Sequence, residues 1–458
     1  MTTTTVELKH NEVFTSVVAG LGAFLDGFDL TIIGGVLLFL VPAWKLTPGQ
    51  TGFLASVAFV GMMAGAISFG RVADRVGRRN IFLGDLALFI GGSLICALAP
   101  ANGFLMLTVG RLVIGLAIGA DLPISSTLIA EVSSTGRRGF FTGLLQGWWF
   151  GGAALAALVS VVFVLFGGTS AWRLMFGVGA ILAVVVLILR IWVSESPLWA
   201  AAMAQSKQRI GAGVGSGVGV LGVREHDDAC VGAASGPRRS GRGYVSLFAQ
   251  PYRVPLFLAS LFWFLGTIRV AAFVVYTPSV LHAFGVAGKV APLLLTAGFF
   301  GSLTAVSVGS AVYIDRVDRR AVMFWTWALA TVLTVVLAFV SPKEPLVIFA
   351  LLVLSALPIQ TMTVALWPWS VEFFPTLLRG SAEGISGACG KFGGLAVVLW
   401  YPVIAISLGW RNTMLVFVGI MLTGVVALGV LRPIQTRGRT LEDIELDMAA
   451  QRAVSRAE

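Results

Sequence analysis

Charged residues set inside long apolar runs are the groups in this sequence that could do chemistry. In the first half these are Asp26, Asp29, Arg111 and Asp121. A charge within a membrane span is costly and faces a cavity or a partner. Asp26 and Asp29 are three residues apart and share one helix face. Counted from the ends of their runs, Asp29 and Arg111 fall at the same depth, in the outer half of the bilayer, so they can pair. A carboxylate whose arginine partner can leave changes its proton affinity strongly, as a proton-coupling site requires. Asp26, Asp29, Arg111 and Asp121 are therefore the proton-coupling candidates. The alternatives are a permanent structural Asp29–Arg111 pair, an Asp26 that bonds backbone or water without titrating, and an Asp121 that gates or satisfies the kink beside Pro123.

The second half carries the opposite sign. Arg269 lies about midway along one apolar run and Lys391 about midway along another, with Glu383 the acid near the inner end of the latter. An anionic substrate held at the midplane between two halves would neutralise both cations; Lys391 could instead pair with Asp26, Asp29 or Asp121 across a cavity. Trp148, Trp149, Trp263 and Trp367 could stack on a flat ligand, and Gln146 could hydrogen-bond it. Most aromatics in spans are core or interface anchors, so these four are a restricted choice.

Those residues need elements to hold them. Of 458 residues 57% are hydrophobic and 12% charged, against about a quarter charged in a soluble domain, so the chain is mostly lipid-embedded. Spans of roughly 20 apolar residues can be read at 14–41, 50–70, 81–100, 103–131, 139–167, 172–193, 254–281, 290–313, 321–341, 345–371, 380–407 and 410–432. The net charge of +10 does not point to nucleic acid, because the cations gather in every second loop: Arg71, Arg75, Arg78 and Arg79; Arg137 and Arg138; Arg316, Arg319 and Arg320; Arg379. This is the positive-inside pattern. It places both termini in the cytoplasm and makes the span count even.

The organisation expected is 1–193 as an N-terminal six-helix bundle, 194–253 as a flexible cytoplasmic linker, 254–432 as a C-terminal six-helix bundle and 433–458 as a cytoplasmic tail. The polar start, Met1–Glu12, lacks the ordered regions of a cleaved signal, so the first span is expected to serve as its own. Glycines at four-residue spacing, such as Gly61 and Gly65, Gly115 and Gly119, Gly147 and Gly151, and Gly390 and Gly394, allow close helix approach; sliding or rocking surfaces are expected on the fourth and eleventh helices. Cys96, Cys230 and Cys389 are scattered and suggest neither disulfides nor a metal cluster. His10, His226 and His282 have no metal-ligand spacing, and neither a nucleotide-binding loop nor a nucleophile–base set is present.

The basic stretch Gly70-Arg-Val-Ala-Asp-Arg-Val-Gly-Arg-Arg79 returns as Tyr313-Ile-Asp-Arg-Val-Asp-Arg-Arg320, between apolar runs in both cases. Matching loops in two halves indicate an internal duplication. Asp74 among the arginines can accept hydrogen bonds at the end of a neighbouring helix, while the arginines pair with Glu131 and Glu195. The gating set is Gly70, Asp74, Arg75, Arg78, Glu131 and Glu195, with Asp315, Arg316, Glu372 and Arg379.

These stretches resemble the signature loops of the major facilitator superfamily, and Gly110-Arg111-Leu-Val-Ile-Gly115-Leu-Ala-Ile-Gly119 resembles its fourth-helix motif. Ser194-Glu195-Ser196-Pro197, Glu372-Phe-Phe-Pro375-Thr-Leu-Leu-Arg379-Gly380 and Gly438-Arg439-Thr440-Leu441-Glu442 resemble segments of the sugar-porter-like branch. Asp26-Gly27-Phe28-Asp29 looks like the Asp-Gly-x-Asp of aromatic-acid:proton symporters. Gly119-Ala-Asp121-Leu-Pro123 and Gly390-Lys391-Phe-Gly393-Gly394 are similar to stretches of nicotinate and metabolite:proton symporters. The paired glutamines of the sugar porters' seventh helix are missing from Leu261–Tyr276. The resemblance implies an all-α membrane protein with twelve helices in two pseudo-symmetric six-helix bundles, and it supports the Asp29–Arg111 pairing.

The expectation is a proton symporter of a small organic anion, aromatic or heterocyclic, working by alternating access. A sugar or polyol symporter, an exporter by proton antiport and a non-transporting receptor are the alternatives. Its partners are the substrate, protons and the bilayer of the inner membrane, with no cofactor, no enzyme activity and a monomeric state.

Overall fold

A computed structural model describes residues 2–134, 136–168, 170–204, 243–249, 251–340 and 345–430, and residues 439, 441, 443, 444 and 446 of the tail, with side chains from Glu12 onward except at 48 and 402. Among them every regular element is helical. The first half holds α1 (Thr2–Trp44), α2 (Pro48–Val76), α3 (Arg78–Ala97), α4 (Phe104–Val132), α5 (Arg138–Phe166) and α6 (Ala171–Arg190). The second holds α7 (Arg253–Ala283), α8 (Val290–Tyr313), α9 (Arg319–Phe339) and α10 (Pro345–Glu372). The last helical stretch, Thr376–Val430, breaks at Gly409, where φ is 71° and ψ 172°. It thus provides two helices, α11 (376–408) and α12 (410–430).

Eleven described helical stretches are long and apolar enough to cross a membrane. The twelfth, the larger part of α11, is less apolar because it carries Arg379, Glu383, Lys391 and a run of glycines. In the first bundle α1 packs on α5 and α6, α2 on α4, and α3 on α4 and α6; in the second α7 packs on α11, α8 on α10, and α9 on α10 and α12. The bundles meet where α2 lies along α11 and α5 along α8. Large apolar side chains such as Phe166, Ile181, Trp325 and Ile406 stay exposed on the outside of the helices, as lipid-facing positions do.

Three expectations change. The basic stretch after Gly70 is helix rather than loop: α2 runs to Val76 and the chain turns on Gly77 alone, at φ 110°, a conformation open to glycine. Gly115 and Gly119 of α4 face the backbone of Ala58 and Met62 on α2, so they seal one bundle internally and offer no rocking surface between bundles. The linker is docked at both ends. Glu195 accepts from the backbone N–H groups of Arg78 and Arg79 (3.0 and 3.2 Å), and the Trp199 indole donates to the Asp74 carbonyl at 3.0 Å. At its return the turn Gly243–Leu247 sets Tyr244 beneath the Arg71 guanidinium, 4.9 Å from the ring centre, its hydroxyl donating to the Ile67 carbonyl; burial raises the proton affinity of that phenol. The stretch 205–242 of the expected linker lies outside the described residues.

Candidate functional site

A cavity of about 680 Å³ opens between the bundles, lined from both sides. The first bundle gives it Phe59, Gln146, Trp149 and Phe150, and the second gives it Trp263, Thr267, Thr363, Trp367 and Lys391. Trp263 and Trp367 meet edge to face, with centroids 4.9 Å apart and planes at 89°. Both indole N–H groups are buried and have no acceptor among the described residues. Lys391 makes no ion pair among the described residues, yet Asp26 and Glu383 both lie within reach of its charge.

Two of the sequence candidates lie elsewhere. Trp148 packs on α1, where a Cβ on Gly20 would collide with its indole ring; its neighbour Trp149 takes the cavity position, since consecutive helix residues point about 100° apart. Arg269 lines an adjoining space of about 290 Å³ with Phe273, Phe299 and Gln360. Its guanidinium donates to Ser355 Oγ at 2.6 Å and to the Ser355 carbonyl at 3.3 Å, and it lies 5.1 Å from the centre of the Phe273 ring. The two cavities share Phe150, Val270 and Val274 as a wall, so Arg269 stands behind the main cavity.

The acids of the first bundle form two groups. Asp29 pairs with Arg111, which also donates to the Asp29 carbonyl at 3.3 Å. Arg190, at the end of α6, binds Asp85 of α3 at 2.8 Å and Asp121 of α4, and lies 3.6 Å above the Phe82 ring. Gly22 permits this, because a Cβ there would strike the Arg190 and Asp121 side chains. One turn further along α1, Asp26 is buried at 2% exposure, with Oδ2 unpartnered among the described residues. The fields of Asp121, Lys391, Arg190 and Asp85 all reach it. Gly27, beside it, presses α1 against the Trp149 carbonyl of α5. Sequence reasoning passed over Asp85 and Arg190; their sign inside apolar runs was the available signal.

At the end of the molecule that carries the arginine-rich junctions, hereafter the basic end, the bundles are tied twice. Asp74 accepts from the backbone N–H of Gly380 (3.2 Å) and Ser381 (2.7 Å) and from Ser381 Oγ (2.6 Å) at the start of α11. A helix N-terminus favours such a negative group. Arg78 donates to Glu131 at 3.1 Å and to the Thr376 carbonyl at 2.7 Å, and Arg379 to Glu131 at 3.0 Å. The second tie repeats the first: Asp315 accepts from the backbone N–H groups of Gly139 and Phe140 (both 2.9 Å) at the start of α5. Glu372 there takes Arg319 and, at 3.6 Å, Arg138. The arginine in this tie is Arg319, not Arg316, which is exposed. In the two copies Asp-Arg-Val-Gly-Arg-Arg and Asp-Arg-Val-Asp-Arg-Arg, Arg319 matches Arg78 and Arg316 matches Arg75, whose side chain is also exposed. Gly70 lets α2 touch α11, since a Cβ would meet the Gly380 carbonyl.

A model of the family described as sugar (and other) transporter matches residues 15–448. The chain belongs to that family. Among similar family proteins, the glucose transporter GlcP of Staphylococcus epidermidis is 25% identical over 464 residues, 96% of this chain and 98% of its own. The niacin transporter NiaP of Acinetobacter baylyi is 26% identical over 444 residues, 94% of this chain and 95% of its own. The solved proton:xylose symporter XylE of E. coli, bound to 6-bromo-6-deoxy-D-glucose, superposes with a TM-score of 0.79 at 20% identity, over 95% of this chain and 99% of its own. The fold is the major facilitator fold, in two pseudo-symmetric six-helix bundles, and the chain is a multi-pass membrane transporter.

Proposed function

We propose that this transporter is a proton-coupled symporter of a small organic anion with a flat aromatic or heterocyclic body. The observation that carries the reading is Lys391, a cation without an ion-pair partner among the described residues, in a cavity walled by Trp149, Trp263, Trp367, Phe59 and Phe150. A carboxylate on the ammonium and a ring between the indoles would use both kinds of surface. Gln146 would fix its orientation.

Coupling follows from competition. In the empty protein Lys391 is the cation nearest in influence to Asp26 outside its own bundle. An anion on Lys391 screens that charge from Asp26, and a proton on Asp26 restores the balance. Asp29 with Arg111 is a second proton-exchange pair in the outer half. The basic end faces the cytoplasm, with both termini inside, in the inner membrane, and its two ties close the inward path while the outer end exchanges substrate. Such a cycle is transport without chemical conversion, so no enzyme activity or cofactor is needed, and one monomer suffices.

The test is binding and proteoliposome uptake of nicotinate, with nicotinamide as its neutral amide and D-xylose as a sugar. Nicotinate alone should be accumulated under an inward proton gradient and bound at least about tenfold tighter than the amide, since a charge-assisted hydrogen bond is worth about 1.5–3 kcal/mol. Equal binding of acid and amide overturns the anion reading. Gln146, Thr267 and Thr363 in the same cavity favour the second reading, a sugar symporter, which would be marked by xylose uptake indifferent to Lys391.

A further inference from the structure

We propose that Glu383 is a proton-carrying carboxyl of the second bundle that drives substrate off Lys391 when the basic end opens. Glu383 is 3% exposed and forms no ion pair among the described residues, and its Oε2 has no hydrogen-bond partner there. Its Oε1 lies 3.4 Å from Ser370 Oγ, while Ser370 Oγ lies 3.1 Å from the Trp367 carbonyl. A serine hydroxyl has one proton to donate, and the nearer carbonyl takes it. Glu383 Oε1 is left with a long share of that one proton and the nearby Ser386 hydroxyl, weak company for a buried carboxylate, and a proton on the carboxyl removes the charge.

Place gives this proton a use. Lys391 is eight residues beyond Glu383 on α11, about 12 Å along the axis and roughly 80° round it. The field of Lys391 reaches Glu383. The carboxylates at the basic end of α11 are committed, Asp74 on α2 to Gly380 and Ser381, Glu131 on α4 to Arg78 and Arg379, Glu372 on α10 to Arg138 and Arg319; Asp26 on α1 is the other carboxyl whose charge reaches Lys391. α7, with Arg253, Arg269, Tyr276 and His282 as its titratable groups, brings no carboxylate. Glu383 stands two residues past Ser381, so breaking the Asp74 tie exposes it to water. Its O–H bond then breaks, the proton passes to that water, and the carboxylate's field competes with the substrate anion for the Lys391 ammonium. Reclosure returns a proton from the same side, so this carboxyl speeds release and leaves the coupling ratio unchanged.

The substrate step rests on the anion reading; the proton does not. Infrared difference spectra of the purified full chain in lipid, recorded across a pH titration without substrate, should show a carboxylic-acid C=O band that Glu383→Gln removes. Glu383→Asp, the variant to use if Glu383→Gln fails to fold, should shift that band. A band unchanged in whichever variant folds overturns the proposal, whatever becomes of nicotinate. With nicotinate as probe, its release rate at the basic side should rise about tenfold or more with pH in the parent and lose most of that rise in Glu383→Gln, Asp26 keeping the remainder, while uphill uptake keeps its proton ratio. Release that keeps the parent's full pH dependence in Glu383→Gln overturns the competition for Lys391. If nicotinate fails to bind while the band responds to the variants, the anion reading falls and the Glu383 proton stands.

Discussion

Asp74→Asn is a change whose size can be worked from the tie it breaks. The carboxylate accepts three hydrogen bonds, from Gly380 N, Ser381 N and Ser381 Oγ, and lies 3.2 Å from Arg78 Nη2. Oδ2 takes both Ser381 donors, and Oδ1 takes Gly380 N–H and faces Arg78. Asparagine keeps one oxygen, so serving Ser381 turns an NH2 toward two donors. One charge-assisted bond is then lost, worth about 1.5–3 kcal/mol, and the desolvated Arg78 loses a neighbour. The closed basic end should weaken by that amount, a shift of about ten- to hundred-fold toward the open form. The reporter is Ala382→Cys, fully buried one residue past Ser381, in a chain without Cys96, Cys230 and Cys389. When opening is fast against labelling, the rate follows the open population, so impermeant maleimide applied to the basic side should label Asp74→Asn about ten- to hundred-fold faster. Nicotinate affinity should change little. A labelling rate equal to the parent's would show that Asp74 does not hold this end closed.

Lys391→Gln keeps length and polarity without charge, so nicotinate affinity should fall about ten- to hundred-fold while nicotinamide affinity stays put in calorimetric titration. Asp29→Asn should abolish uphill, pH-driven uptake in proteoliposomes and spare exchange at equal pH; full accumulation by the variant would remove Asp29 from the coupling site. Nicotinate binding to the purified parent should take up about one proton, read with a pH-indicator dye in weak buffer, and D-xylose should take up none.

The helices were legible because the bilayer imposes one length and one polarity on each run. The expected span 290–313 coincides with α8, and most others differ by a few residues at each end. Charged residues at span ends were harder. Arg190 closes α6 and reads like a boundary charge, yet it is fully buried between α3 and α4, because α1 yields space at Gly22. That packing is a property of three helices together and leaves no mark on any one. The choice between Arg316 and Arg319 turned on where α9 begins. Asp318 caps it by accepting from Arg320 N–H at 2.9 Å, which turns Arg319 inward. Trp148 and Trp149 were separable only by helix phase, and phase came from the glycines that press α1 on α5.

The two sets of buried charge differ in a way that bears on the substrate. Among the described residues the ties at the basic end hold four acids (Asp74, Glu131, Asp315, Glu372) and four arginines (Arg78, Arg138, Arg319, Arg379), a balanced set. In the membrane interior, among the described residues, stand five acids (Asp26, Asp29, Asp85, Asp121, Glu383) and four cations (Arg111, Arg190, Arg269, Lys391), which leaves one negative charge over. Unbalanced charge in a dry interior is expensive, and the proton proposed for Glu383 would offset it in the empty closed protein. A monoanion on Lys391 adds another negative charge and calls for one proton more; a neutral sugar calls for none. On the proposed reading an anion is closed in together with a proton, and coupling would follow from the charge balance of the cavity. A sugar would have to be coupled by some other contact, such as a hydroxyl that separates Asp29 from Arg111.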